Sequence, residues 1–386
     1  MIKVNYDNSL LSLAASVLKK YGASVNHKTL PQMDELLNCD FKNVVVMLFD
    51  GMGKNILEKH LPADSFLRSH CIDTISSVFP PTTTAATTSI ESGLSPIEHG
   101  WLGWALRFEQ VGNKNVCLFP NTLLNSNEKA ADFHVARTYI PYENIFDKIE
   151  RVSNGEVKAY CVSAYSGICA RSVDEICDNV KKLCTQNGRK YIYTYSNQPD
   201  YDIHDLDTAH GRIREHLEEI NQKVEKLCEQ LTDTLVIVTA DHGLIDTKWL
   251  YLDDYPDVKD CLVDIPSIEC RTMSMFVKDG MKEKFERAFN KHFGEYYELI
   301  PHERVFEQKL FGDGDEHPLA RTFVGDYIAV AKTEVSISPA QKTDDVFKAV
   351  HAGATKEEFE VPFIVQKPNA VLSKQCLACD YRNDGF

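Results

Sequence analysis

Five stretches of this chain carry side chains that can bind a metal or act as a nucleophile. Asp241-His242-Gly243 follows Leu235–Val238, an apolar run bounded by turn-type residues. Such a run reads as a strand buried on both faces of a parallel sheet. Ligands of open α/β sheets bind beyond the carboxyl ends of the strands, where these two side chains fall. Gly243 frees the backbone to turn there. Asp50 has the same placement, after Val44–Phe49 and before Gly51. Neighbouring parallel strands lie about 5 Å apart, so Asp50 and Asp241 can converge on one cation. Asp200 and His204 are four apart, which puts both on one face of a helical turn, a serviceable metal pair. Asp202, Asp205, Asp207 and His210 crowd that pair as alternative ligands. His351, in the loop His351-Ala352-Gly353, could close a metal site or be an ordinary surface histidine.

Thr82-Thr83-Thr84 opens a stretch that reads as a helix to Ser92, with Gly93 as its stop signal. A hydroxyl at that helix start sits in a positive field beside unpaired N–H groups, a setting for a nucleophile that must hold an oxyanion. A plain threonine-rich cap is the competing reading. Trp101 and Trp104 follow in a loop; they could stack on a substrate ring or pack in the interior.

The elements that must hold these residues alternate along the chain. Strands are expected at Val44–Phe49, Cys71–Phe79, Val157–Val162, Tyr191–Tyr195, Leu235–Val238, Arg271–Val277 and Val361–Val365. Helices are expected at Ser9–Tyr21, Lys54–Lys59, Glu143–Val152, Val173–Cys184 and Lys282–His292, with a long one running from the Asp200 region to about Gln230. This rhythm predicts an α/β fold with a mainly parallel central sheet flanked by helices. Residues 250–335 lack the rhythm and are expected to form a smaller α+β insertion or cap, leaving 1–250 and 335–386 as the catalytic core.

A net charge of −15 argues against a nucleic-acid polymer or an anionic membrane as partner. It also means that an anionic substrate needs local positive charge, which bound metal could supply. The 12 cysteines form no dense disulfide pattern, the N-terminus has no apolar leader core, and no stretch is long enough to span a bilayer. A cytoplasmic chain with reduced thiols is expected. The lone pair Cys376 and Cys379 reads as two ordinary thiols.

Six segments taken together resemble the alkaline phosphatase superfamily, and within it the nucleotide pyrophosphatase/phosphodiesterase family. They are Phe49-Asp50-Gly51, Phe79-Pro80-Pro81-Thr82-Thr83-Thr84, Ser92-Gly93-Leu94-Ser95-Pro96 with His99-Gly100, Pro199-Asp200 with His204, Thr239-Ala240-Asp241-His242-Gly243, and His351 with Gly353. The resemblance implies two divalent metal ions, zinc by expectation. Asp200, His204 and His351 would hold one; Asp50, Asp241, His242 and the nucleophile oxygen would hold the other. The offset from Gly93 implies Thr83 as nucleophile, with Thr82 and Thr84 as alternatives. The implied activity is phosphoester hydrolysis through a phospho-threonine, on a small-molecule phosphoester, nucleotides included.

Two zinc ions, three ligand aspartates and one alkoxide sum to roughly zero charge, which leans toward singly charged phosphodiesters. The loop after His99-Gly100 departs from the family, which carries a phosphoryl-binding Asn there; this chain has Trp101-Leu102-Gly103-Trp104. Trp104 and the backbone N–H of Thr84 are the donors left for the phosphoryl oxygen. Phosphomonoesterase, phosphonate hydrolase and phosphomutase readings therefore stay open. The non-enzyme alternative is a metal-stabilised binding protein.

Overall fold

Asn43–Phe49 and Thr234–Thr239 lie side by side at the centre of a seven-stranded sheet, and every residue of both is buried. That two-sided burial is why both strands read as unbroken apolar runs. The sheet order is Cys71–Ser76, Glu360–Gln366, Thr234–Thr239, Asn43–Phe49, Arg189–Ser196, Val157–Ser163 and Ile168–Cys169. Glu360–Gln366 runs antiparallel to both neighbours; the pairings from Thr234–Thr239 to Ile168–Cys169 are parallel. The structure, a computed structural model, describes residues 4–339 and 346–368; Cys376 and Cys379 lie outside them. No helix among the described residues is long and apolar enough to cross a membrane.

Register decides what leaves the carboxyl edge together. Leu48 pairs with Thr239 and Phe49 with Ser196, so Asp50, Asp241 and the Asp200 segment emerge at one level. Backbone bonds tie them further: Asp50 N–H donates to Ser196 O at 2.9 Å, and Asp200 N–H to Asp50 O at 3.0 Å.

The helix Thr83–Ser92 enters the site with its first turn. Its threonines are poor helix formers, but Thr87 and Ser92 donate their hydroxyls to the carbonyls of Thr83 and Thr88, both at 2.6 Å, and so stay satisfied in the interior. Gly93 ends the helix at φ +71°, and a side chain there would meet Leu18 Cδ1 at 2.3 Å. Leu18 belongs to the helix Leu10–Lys20, which opens with a capping box between Ser9 and Ser12.

Two expectations need correction. The Cys71 strand stops at Ser76, before the proline pair. The long helix is two helices, Asp200–Leu206 and Gly211–Gln230, broken where Asp207 takes φ +82° and its carboxylate accepts Ala209 N–H at 2.8 Å. The break holds Asp200 and His204 on a short helix at the site, while the longer one covers the sheet.

A second seven-stranded sheet, antiparallel, has the order Tyr297–Pro301, Tyr327–Ala331, Thr272–Met275, Ser267–Ile268, Ala105–Phe108, Lys114–Cys117 and Thr122–Leu123. Four of its strands come from the expected 250–335 segment, and three come from 105–123. The first partners are too short to show a period: Ala105–Phe108 and Lys114–Cys117 have four residues each. The Trp101–Trp104 loop leads directly into the first of these strands, Ala105–Phe108.

Candidate active site

Thr83 is the first residue of its helix, and its Oγ1 lies 3.4 Å from Asp50 Oδ2 and 3.2 Å from His242 Nε2. Around it the acidic and imidazole side chains gather into two groups. Asp50, Asp241 and His242 form one, and Asp200, His204 and His351 the other; within each, the ligand atoms lie within 4.8 Å of one another. Thr83 borders the first group. His351 links the two, its ring 3.8 Å from that of His242 and 5.3 Å from that of His204, centroid to centroid.

Each histidine is oriented through Nδ1. The acceptors are Ala349 O for His204 at 2.8 Å, Pro81 O for His351 at 3.2 Å and Gly243 O for His242 at 3.3 Å. A donor at Nδ1 leaves Nε2 with its lone pair, the arrangement that outer partners impose on metal-ligating histidines. The loops that carry His242 and His351 are joined by the two-residue ladder of Ile245–Asp246 with Ala349–Val350. Gly243 serves by close approach rather than by a special turn: a side chain there would stand 2.1 Å from Glu357 O.

The carboxylates are half satisfied. Asp241 Oδ1 accepts the backbone N–H of Gly51 and of His242, both at 3.0 Å. Tyr195 donates its hydroxyl to Asp50 Oδ2. Asp50 Oδ1, Asp200 Oδ1 and Asp241 Oδ2 are buried with no hydrogen-bond partner. Buried polar atoms are otherwise nearly always paired, so three orphaned carboxylate oxygens beside the imidazole Nε2 atoms of His204 and His242 fit divalent cations with mixed N/O ligands.

Electrostatics point the same way. Burial, then the charges of Asp241 and Asp200, pushes the Asp50 carboxyl well above its ordinary range, and burial also raises Asp241. Burial would lower His204, but the Asp200 carboxylate 3.2 Å away outweighs it and lifts the imidazole to about 9. Asp200 is held far below the ordinary range: burial opposes this, and His204 overcomes it. His351 is pushed well down by burial and by His242. Three carboxylates packed this closely resist sharing full negative charge, and a bound cation removes that conflict.

Sequence comparison gives the arrangement its relatives. The family described as type I phosphodiesterase / nucleotide pyrophosphatase matches residues 44–355, from the strand before Asp50 to the loop after His351. The chain belongs to this family. Among curated proteins, no sequence matches it. Similar solved structures include murine ectonucleotide pyrophosphatase/phosphodiesterase 5, with TM-score 0.63, 18% identity and coverage of 84% of this chain and 88% of that one. The human form has TM-score 0.63 and 18% identity, covering 83% and 87%. Phosphonoacetate hydrolase from Sinorhizobium meliloti 1021, in complex with phosphonoformate, has TM-score 0.61 and 17% identity, covering 84% and 91%. These likenesses show a shared fold of the alkaline phosphatase type.

Other residues of this family member are placed away from the two groups. Asp202 is engaged by His216, Arg212 and Gln198. Asp205 is exposed, and His210 caps the following helix. Trp101 is buried and donates its Nε1–H to Ile140 O at 2.8 Å, so it is a core residue. Trp104 keeps an exposed indole next to Phe119, while its backbone N–H donates to Glu269 Oε1 at 2.9 Å and its carbonyl accepts Leu118 N–H at 2.8 Å. Thr84 is fully buried with its hydroxyl unpartnered, whereas Thr82 donates its hydroxyl to Glu269 Oε1 at 2.5 Å. Two cations near the site in sequence have partners elsewhere, Lys54 with Glu360 and Arg107 with Asp264.

Two residues went unread in the sequence. Tyr195 is the penultimate residue of its strand and stands beside Asp50, and its place near a strand's carboxyl end was an available signal. Glu269 gave none, because it lies between strands of the second sheet. Its Oε1 accepts the Thr82 hydroxyl and the Trp104 N–H at 2.9 Å, and desolvation pushes its carboxyl up to about 7.

Proposed function

We propose that this protein is a two-metal phosphoester hydrolase with Thr83 as nucleophile, zinc as the metal and phosphodiesters, nucleotides among them, as substrates. One observation carries the reading: a hydroxyl at a helix N-terminus lies against a group of buried, unsatisfied metal-type ligands. Asp200, His204 and His351 would hold one cation, and Asp50, Asp241 and His242 the other, with Thr83 Oγ1 completing that shell. When bound, the cations would supply Lewis acidity, lowering the pKa of a coordinated hydroxyl and neutralising phosphoryl charge.

The protein's own groups do the positioning. The first turn of the Thr83–Ser92 helix turns its unpaired N–H groups toward an oxyanion, since Thr82 spends its hydroxyl on Glu269 and makes no side-chain cap. Thr83 Oγ1 gives its proton to solvent as it forms a bond to phosphorus, the bond from phosphorus to the leaving oxygen breaks, and the leaving oxygen takes a proton from solvent. Water then attacks the phosphorylated Thr83 and restores the hydroxyl as the phosphoryl product leaves. The structure of an inactive threonine-to-alanine variant of the murine relative holds AMP, which favours a nucleotide as the first substrate to try here.

The test is paired turnover of a chromogenic phosphodiester, the matching monoester and phosphonoacetate by zinc-loaded protein. Diester preference supports the reading. Monoester preference keeps the nucleophile and changes the substrate class, and phosphonoacetate turnover moves the protein to the phosphonate branch. No turnover with two zinc ions bound favours the binding-protein alternative.

A further inference from the structure

Arg271 and Glu358 form an ion pair with both side chains fully buried. The contact is two-pronged, Arg271 Nε to Glu358 Oε1 at 2.6 Å and Nη2 to Oε2 at 3.1 Å. Neither residue belongs to either ligand group, and neither was singled out in the sequence. What surrounds the pair gives it a role. The Glu358 carboxylate also accepts Gly353 N–H at 2.6 Å, Thr355 N–H at 3.1 Å and the Thr355 hydroxyl at 2.9 Å. It therefore organises the turn directly after His351. The backbone carbonyl of Glu358 accepts Gly243 N–H at 3.0 Å, directly after His242. One residue thus ties down the loops of a histidine from each ligand group.

Arg271 ties this arrangement to the second sheet through its backbone carbonyl, which accepts Ala331 N–H at 2.8 Å, and its side chain reaches the adjoining segment 333–336, outside that sheet. It donates to Val335 O at 3.0 Å, Ser336 Oγ at 3.2 Å and Thr333 O at 2.7 Å. Its neighbour Thr272 donates to Ala352 O at 2.6 Å, and Ala354 N–H to Ala331 O at 2.8 Å. Ala352 sits at φ +78°, a left-handed conformation that costs a residue with a Cβ and persists only where its surroundings over-determine it. Gly353 has no room for a side chain, which would stand 2.6 Å from Arg271 Nη2.

Stability alone is a weak reason for such a pair, since well-packed apolar residues of similar volume often serve as well or better. A guanidinium fork on a fixed carboxylate supplies direction instead. We propose that the Arg271–Glu358 pair positions the His351 and His242 loops for metal binding, so that the second sheet sets the affinity of both cations without contributing a ligand. This rests on the two-metal reading above. Both are positioning residues, and changes to such outer partners commonly lower metal affinity by about 10- to 100-fold.

The experiment titrates zinc into the chelator-treated full chain by calorimetry, with bound metal counted after gel filtration and the thermal midpoint of the metal-free protein recorded alongside. The variants are Glu358→Gln and the double change Arg271→Met with Glu358→Leu. The double variant leaves no unpaired buried charge, so it keeps the test alive if Glu358→Gln does not fold. Two zinc ions are expected for the wild type. A loss of roughly 10- to 100-fold in affinity at one or both sites is expected for the double variant, with its metal-free midpoint near that of the wild type. Unchanged affinities at both sites in a folded double variant would overturn the positioning role and leave the two-metal reading standing. A wild type that binds no zinc would overturn that reading first, and the proposal with it.

Discussion

The two sheets meet at one site and contribute by different rules. The carboxyl edge of the central sheet supplies Asp50 and Asp241 directly from the ends of buried strands, and Asp200 one short segment beyond Ser196. The second sheet lends no side chain to either ligand group, yet it brings up Glu269 and holds the His351 loop through Arg271 and Thr272. One region decides which atoms are present; the other decides how they are aimed and what charge stands beside them. The difference follows from geometry. Parallel strands end in a common plane, so ligands there need no remote support, whereas a loop histidine has no strand to orient it.

Changes on the central-sheet side should act on chemistry outright. Thr83→Ala should lower turnover more than about 1,000-fold while zinc content stays at the wild-type value, checked by single-turnover kinetics with metal analysis. Equal loss of zinc would mean that Thr83 is chiefly a ligand. Asp241→Asn should lose most of one zinc equivalent and at least about 100-fold in kcat, with partial rescue by excess zinc. Retention of both ions would break the assignment of Asp241.

Changes on the second-sheet side should tune rather than abolish. At about pH 8.5, above the value of about 7 to which burial lifts this carboxyl, Glu269→Gln removes a negative charge next to Thr82, so kcat/KM for a doubly charged monoester should rise relative to the diester. The expected shift is roughly five- to tenfold, the size of one screened charge at such range. An unchanged ratio would leave Glu269 as an anchor for Thr82 and Trp104 alone.

Glu91 offers a control, a carboxyl desolvated like Asp50 but outside both ligand groups. Burial lifts it from an ordinary 4.5 to about 7, against a weaker opposing contact with Tyr142. Because the folded value lies above the unfolded one, this acid favours the fold most at low pH, and that contribution is lost as pH rises from about 4.5 through 7. Glu91→Gln should therefore stabilise by about 3 kcal/mol at pH 8 and by little at pH 4.5, with or without zinc. Denaturant titrations at the two pH values would show it. A gain that depends on zinc would instead couple Glu91 to the site.

Much of this was legible because the signals were local. A strand buried on both faces must be apolar along its length, so Val44–Phe49 and Leu235–Val238 announced themselves, and the residues beyond their ends were marked with them. The cap at Ser9, the stop at Gly93 and the four-residue step from Asp200 to His204 are equally short-range. Glycine at 243 was legible as an exception but not as to its cause, which is the approach of Glu357. Trp101 and Trp104 looked equivalent, and only packing separates the buried ring from the exposed one. The second sheet was half seen, since its strands at 105–123 are too short for a period and join the rest of the sheet where Ala105 pairs with Ile268, 163 positions away.

By itself, the order of residues determined the α/β architecture, the family and the set of metal-type side chains, because each depends on periodicity or on motifs a few residues long. The tertiary structure decided the rest. It turned Asp202 and Lys54 away, set His351 between two other imidazoles, brought Glu269 to Thr82 across 187 positions, and locked the loops with Arg271 and Glu358. Those outcomes are contacts between segments distant in the chain. Their energies depend on burial and on direction, and neither exists until the sheets have packed together.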